Sequence, residues 1–167
     1  MSDLHKYKPL KLIAEDIEHL LHFSTHLQDG LFPVTSMTFD PAKNSFSCLT
    51  NRFCWEMNEH FDHHETYFRV HSGITFHHVT NVFKRNFHQK HPIRVLNLLM
   101  LNAEKSKQSE DQYSIRMLFS GDVEIDLHAS AIHCMMQDFQ HPWPTKSRPI
   151  HWHEHVEEHL EKQAMAG

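Results

Sequence analysis

Glycine is scarce: only Gly30, Gly73, Gly121 and Gly167 occur in 167 residues. Phosphate-cradling loops need glycines in close succession so that backbone N–H groups can approach the anion, and neither a Walker loop nor a G-x-G-x-x-G turn can be assembled from positions this far apart. No G-x-S-x-G elbow occurs either, which removes that nucleophile turn. Cysteine is equally sparse. Cys48, Cys54 and Cys134 are odd in number and form no C-x-x-C, so reduced thiols in the core or strands are expected rather than a disulfide framework or zinc ribbon. The longest apolar run, Leu98 to Leu101, is far short of the roughly 20 residues that span a bilayer. Residues 1–16 carry no apolar stretch with a small-residue cleavage site, so no signal peptide is read and a soluble, cytoplasmic protein is expected.

Positive charge is also in short supply. Sixteen Lys and Arg against twenty-one Asp and Glu leave a formal net charge of -5, which offers no general attraction to a phosphate backbone. Histidine is what the chain has in excess. Nineteen imidazoles titrate near pH 6.5 when unperturbed, so modest acidification carries the net charge from negative toward positive.

With 40% apolar residues and twelve Phe, the chain is one domain's worth and can build a core without disulfides or metal. Leu10, Leu12 and Ala14 alternate with Lys11 and Ile13 as a first strand. Ile17, Leu20, Leu21, Ser24 and Leu27 then share one face of a helix, with Glu15 and Glu18 as a capping pair and Gly30 as C-cap. From Phe32 the period is two. Met37 and Phe39 lead into a turn cluster, Asp40 to Asn44, and Phe46 to Trp55 returns as the partner strand. Met57 to Thr66 has no apolar period and reads as a loop. Tyr67 to Val70 and Ile74 to Val82 flank Ser72 and Gly73 as a second hairpin, and Ile93 to Leu101 suits a central strand. Tyr113 to Phe119, the turn at Gly121 and Asp122, and Val123 to Leu127 make the cleanest hairpin. Ala131 to Phe139, through Ile132, Met135, Met136 and Phe139, has the spacing of a short helix, and His141 to Pro149 is a proline-stiffened connector.

The predicted fold class is α+β: antiparallel β-hairpins forming a curved sheet, with barrel-like closure left open, an N-terminal helix, a short second helix and a C-terminal tail helix. A single domain spans 1–149, and a histidine-rich helical tail spans 150–167.

The runs Leu10 to Asp16, His26 to Asp29, Asn51 to Glu56, Ser72 to Phe76, Phe119 to Asp122, and Trp143 to Thr145 with Pro149 and His151 occur in this order. Together they resemble an alphaproteobacterial family of small proteins of unknown function, typically encoded beside histidinol dehydrogenase. The resemblance runs from about Leu10 to about His151. It implies a housekeeping context and no catalytic residue, because the family has no assigned activity. This chain departs from the pattern in its many histidines and in a tail that continues past His151.

That tail holds the sharpest chemical candidate. His155, Glu158 and His159 form an H-x-x-E-H string; on a helix the two imidazoles lie one turn apart, where they can hold zinc while Glu158 acts as base for a bound water. Enzymes with this string take a further carboxylate ligand from well downstream, and only eight residues follow His159. His151 and His153 with Glu157 match a cupin-like metal motif, but the local period is helical rather than stranded. Trp152, Val156, Leu160 and Ala164 recur every four residues as an apolar stripe, which explains the tail as a docking helix flanked by His151, His155 and His159. Adventitious zinc, nickel or copper binding at His151, His155, Glu158 and His159 is the expected metal behaviour, with no required cofactor.

Elsewhere, His19, His22 and His26 share a helical face best read as solvated surface, and His60, His63, His64 and Glu65 sit in a loop. Lys84, Arg85 and Arg94 interleave with Phe83 and Phe87, a mixture that can stack bases and contact phosphates, though a solvated loop in an acidic protein is the simpler reading. Arg52 and Glu56 could meet in a cleft; equally, Phe53 and Trp55 could face the core with the charges outside. The leading expectation is a noncatalytic binding or assembly module of unknown ligand with a self-association face and no membrane or nucleic-acid partner. The rivals are a metal-dependent hydrolase built on the tail and a weak RNA-binding domain.

One prediction follows from the histidine content alone: solubility should pass through a minimum near the sequence pI of about 6.4. Light scattering across a pH series checks it, and a flat profile through the histidine titration range would refute it.

Overall fold

Alternation of buried and exposed side chains dominates the chain, and in the computed structural model 58% of the described residues lie in strands and 14% in helices. The structure describes residues 7–58, 67–87 and 94–146. In order, the elements are β1 (Lys11–Ala14), α1 (Ile17–Leu27), β2 (Leu31–Pro33) with a 3-10 turn at Val34–Ser36, β3 (Thr38–Asp40), β4 (Ser45–Phe53), and the single-turn α2 (Trp55–Asn58). They continue as β5 (Tyr67–Phe76), β6 (Val79–Arg85), β7 (Val95–Lys105), β8 (Tyr113–Phe119), β9 (Val123–Ala129) and β10 (Cys134–Thr145). The strands form one ten-stranded sheet, ordered β1-β10-β5-β4-β2-β7-β8-β9-β6, with β3 paired to β4. Its pairings are antiparallel throughout.

The sheet is open, with β1 and β6 at its ends, so the barrel-like closure left open by the sequence is not formed. It nevertheless wraps one core. Phe46, Ile74, Phe76 and Met136 from the β10-β5-β4 section join Leu98, Ile115, Met117, Ile125 and Leu127 from the β7-β8-β9 section in a single buried cluster. The chain crosses between sections at two corners, β5 to β6 and β9 to β10. Backbone bonds tie these corners to each other, His77 N to His133 O at 2.8 Å and Ser130 N to His78 O at 3.0 Å. Peptide groups that leave the ladder at a bend must find partners, and these corners supply them mutually.

Helix α1 starts where Asp16 caps it, its Oδ1 accepting from His19 N at 2.7 Å, rather than at the expected Glu15–Glu18 pair. Its buried side chains are Leu20, Phe23 and Leu27, while Leu21 is 49% exposed; the apolar stripe is rotated from the expected one. Ser24 Oγ accepts from Leu101 N at 3.0 Å and so binds the helix to β7. Asp29, with φ 60, makes the left-handed turn expected at Gly30. Gly30 is needed for another reason: a Cβ there would sit 2.8 Å from Leu27 O and 2.9 Å from Thr50 Oγ1.

Two of the three hairpins read from the sequence form. Asp40 Oδ1 accepts from Ala42 N and Lys43 N at 3.0 and 3.3 Å between β3 and β4. Gly121 and Asp122 take φ of 75 and 60 between β8 and β9, as a short hairpin turn requires.

The α+β expectation is corrected: the fold is mostly antiparallel β-sheet, with two helices among the described residues. The short second helix expected over Ala131 to Phe139 is β10. Its inward residues are Cys134, Met136 and Asp138, and it pairs with β1 on one edge and β5 on the other. Apolar residues on both faces mimicked helical spacing, and ladders to two distant strands outweighed it. The supposed connector continues β10 past a bulge, with Trp143 opposite Arg69 and Thr145 opposite Tyr67. Ser72 and Gly73 lie inside β5 rather than in a turn, so β5 and β6 do not pair as a hairpin. The predicted tail helix falls outside the described residues. Among the described residues no helix is long and apolar enough to cross a membrane.

Gly30→Ala should destabilise the protein by about 1–3 kcal/mol, because the new methyl meets backbone and β-sheet atoms that cannot retreat. An unchanged denaturant midpoint would contradict this close approach.

Candidate functional site

Along β4, Phe46, Cys48, Thr50 and Arg52 point inward. An arginine at the end of that row must be neutralised, and the sheet register supplies the partner. Thr50 lies opposite Ser72 of β5, and Ser72 lies opposite Asp138 of β10. Arg52 Nε and Nη2 donate to Asp138 Oδ1 and Oδ2 at 2.9 and 2.7 Å, a bidentate pair with both side chains fully enclosed. Ser72 Oγ donates to Oδ1 at 2.5 Å, while Tyr7 Oη and Leu10 N donate to Oδ2 at 2.7 and 2.9 Å. The single turn of α2 brings Glu56 back over Arg52, whose Nη1 and Nη2 donate to Oε2 and Oε1 at 3.0 and 2.7 Å. Nη1 also reaches Phe53 O at 3.4 Å, so every nitrogen of the guanidinium is engaged.

The titration behaviour follows from this arrangement. Burial pushes the Asp138 carboxyl up, but the Arg52 hydrogen bonds and charge, Ser72 and the Leu10 amide more than reverse that and hold it down at about 2. Burial and the hydrogen bond to Asp138 push the Tyr7 phenol up. Burial opposes the charge on Arg52, yet its two carboxylates raise its pKa further.

At the mouth of this network lies a cleft of ≈ 280 Å³ lined by Thr25, His26, Gln28, Trp55 and Glu56. Trp55 Nε1 donates to Gln28 O at 3.0 Å, which fixes the indole. His26 Nδ1 is buried without a hydrogen-bond partner among the described residues, 3.9 Å from Glu56 Oε2. Desolvation, partly offset by Glu56, lowers the His26 pKa and keeps the ring neutral. Sequence spacing had allowed Arg52 and Glu56 to meet, and they do. The helix-like spacing of Ala131 to Phe139 hides Asp138; its place in the Cys134, Met136, Asp138 alternation is the signal that marks it.

The other candidates fall differently. His151, His155, Glu158 and His159, like His60, His63, His64 and Glu65, lie outside the described residues. Lys84 Nζ stands 4.7 Å from the Phe87 ring centroid. Arg85 pairs with Glu124 at 2.8 Å. Arg94 packs beside Gly121, its Nη2 3.9 Å from where a Cβ would stand. Arg85 and Arg94 therefore approach the same β8–β9 hairpin. Three imidazoles do meet where sequence spacing gave no hint. His133 stands 5.2 Å from His77 and 6.3 Å from His78 between ring centroids, and burial with the neighbouring imidazoles lowers the His77 pKa. No set of three or more His, Cys, Asp or Glu among the described residues is arranged to hold a metal ion.

Residues 10–151 match the family model described as a protein of unknown function (DUF2948). The chain belongs to that family. The match covers Arg52, Glu56, Ser72 and Asp138, so the whole buried network except Tyr7 lies within the DUF2948 region. No curated protein and no solved structure matches the chain.

Removing one member of this network should be severe. Arg52→Ala leaves two carboxylates facing each other without a cation and should cost about 3–5 kcal/mol in denaturant unfolding. Because the folded pKa of Asp138 is depressed, its contribution is complete above the unfolded value of 3.8 and disappears as pH falls toward about 2. Asp138→Asn should therefore be less stable at neutral pH and lose less stability over that acid range; an identical acid limb in both proteins would refute the assignment.

Proposed function

We propose that this chain is a noncatalytic binding module that assembles with a second copy of itself through the outward face of β1, β10, β5 and β4. The observation that carries the reading is an apolar hollow bordered by apolar knobs on that face. Across the strands Lys11, Gln137, Gly73 and Leu49 lie in one register row, beside a row of Ile13, Met135, Thr75 and Ser47. Ile13, Leu49 and Phe139 are 49%, 48% and 38% exposed. Among the described residues a Cβ on Gly73 would have only Leu49 Cδ2 near it, at 3.9 Å, so the face dips there into a concavity of ≈ 540 Å³.

A hollow and knobs on one patch are complementary to the same patch rotated by a two-fold axis, the geometry of an isologous dimer. Ordinary monomers seldom leave such a patch uncovered on a sheet. The noncatalytic part rests on the Arg52 network, in which the guanidinium is engaged by Asp138 and Glu56 and the enclosed Asp138 carboxylate by Arg52, Ser72, Tyr7 and Leu10. No cofactor is needed for this role.

Light scattering over a concentration series tests it. The natural chain is expected to be dimeric at about 100 µM, a concentration that populates even a modest interface. Leu49→Glu and Gly73→Phe, both outward changes, should give monomers with little change in unfolding midpoint. A natural chain that stays monomeric throughout refutes the reading.

A further inference from the structure

We infer that the cleft beside the Arg52 network binds an organic monocation, a primary ammonium or guanidinium group on a short stem. This site is separate from the self-association face. Its charge comes first. Arg52 carries one positive charge against the carboxylates of Asp138 and Glu56, so the cluster holds an unbalanced negative charge. Asp138 is fully enclosed, whereas the Glu56 side chain is 29% exposed and lines the cleft. The surplus charge therefore faces the opening.

The hydrogen-bonding pattern agrees. Glu56 Oε2 and His26 Nδ1 are 3.9 Å apart, too far for a direct bond but a separation that one donor nitrogen spans when it lies about 2.9 Å from each. His26 Nδ1 has no other partner among the described residues, and burial, which lowers the pKa of the ring, leaves it uncharged and able to accept. Trp55 adds an aromatic wall held by its bond to Gln28 O, and aromatic rings attract cations. An anion would meet Glu56 with no free cationic donor opposite, because the Arg52 nitrogens are already engaged. At ≈ 280 Å³ the cleft admits a small amine or one basic side chain; it lies at the lower edge of the roughly 300–1,000 Å³ typical of drug-sized ligands.

The test uses the full chain purified without an affinity tag, titrated with n-propylguanidine as a free monocation and with Nα-acetyl-arginine N-methylamide as a peptide side chain. Calorimetry and the His26 ring resonances report binding. Saturable binding at about millimolar affinity or tighter is expected for at least one probe, and the tighter one identifies the source. Glu56→Gln should weaken it about tenfold, the loss of one hydrogen bond to a charged group. Trp55→Leu should weaken it about threefold or more. Where Glu56→Gln disturbs folding, His26→Phe decides by calorimetry, since Arg52 keeps both carboxylates. No saturable binding of either probe, tighter binding of sulfate than of n-propylguanidine, or affinity unchanged in the folded variants would overturn the inference.

Discussion

A charged pair sealed inside the sheet sets the terms for the structure around it. Arg52 and Asp138 lie 86 positions apart in the chain and are both removed from water. Desolvating either ion alone costs several kcal/mol, so neither strand can hold its charge inward unless the other is in place. The pair thereby links β4 and β10 across β5, and Ser72 of the intervening strand completes the carboxylate's shell. It also recruits the N-terminal segment, whose Tyr7 hydroxyl and Leu10 amide donate to the same carboxylate. The α2 turn becomes necessary as well, because only a reversal of the chain after β4 returns Glu56 to the outer side of the guanidinium.

The apolar core and this network divide the inward face between them. Toward one end of β4, β5 and β10 the inward residues are Phe46, Phe76 and Cys134; toward the other they are Arg52, Ser72 and Asp138. The apolar end closes over α1 and the β7-β8-β9 section, where burial of Leu20, Phe23, Leu98, Met117 and Leu127 supplies the main drive to fold. The polar end fixes register, since a slip by one residue in β4 or β10 would turn an ion outward and leave its partner buried alone. The two concavities lie outside this arrangement: the cleft of His26 and Trp55 where the network reaches the surface, and the hollow at Gly73 on the outward face.

Much of the local structure was legible because its physics is local. Asp40 to Asn44 and Gly121 with Asp122 carry turn chemistry that works in any context, and α1 has a single apolar face long enough to set its period. The failures share a cause. Ser72-Gly73 looks like a turn and Ala131 to Phe139 looks like a helix when each is judged alone, but Ser72-Gly73 and Cys134 to Phe139 lie in central strands paired with residues 22 or more positions distant. The Arg52–Glu56 contact was foreseeable from spacing of four. Asp138, the other half of the site, was not, because strand pairing rather than sequence separation brought it there.

The sequence by itself determined the composition limits, the helix, the hairpin turns and the alternation that makes most of this chain strand. Those properties depend on near neighbours and on the preferences of individual side chains. Tertiary structure alone decided the strand order, the inward burial of Arg52 with Asp138, the meeting of His77, His78 and His133 at the corners, and the hollow over Gly73. Each of these is a relation between distant segments, fixed only when the sheet folds back on itself and buried groups must find partners away from water.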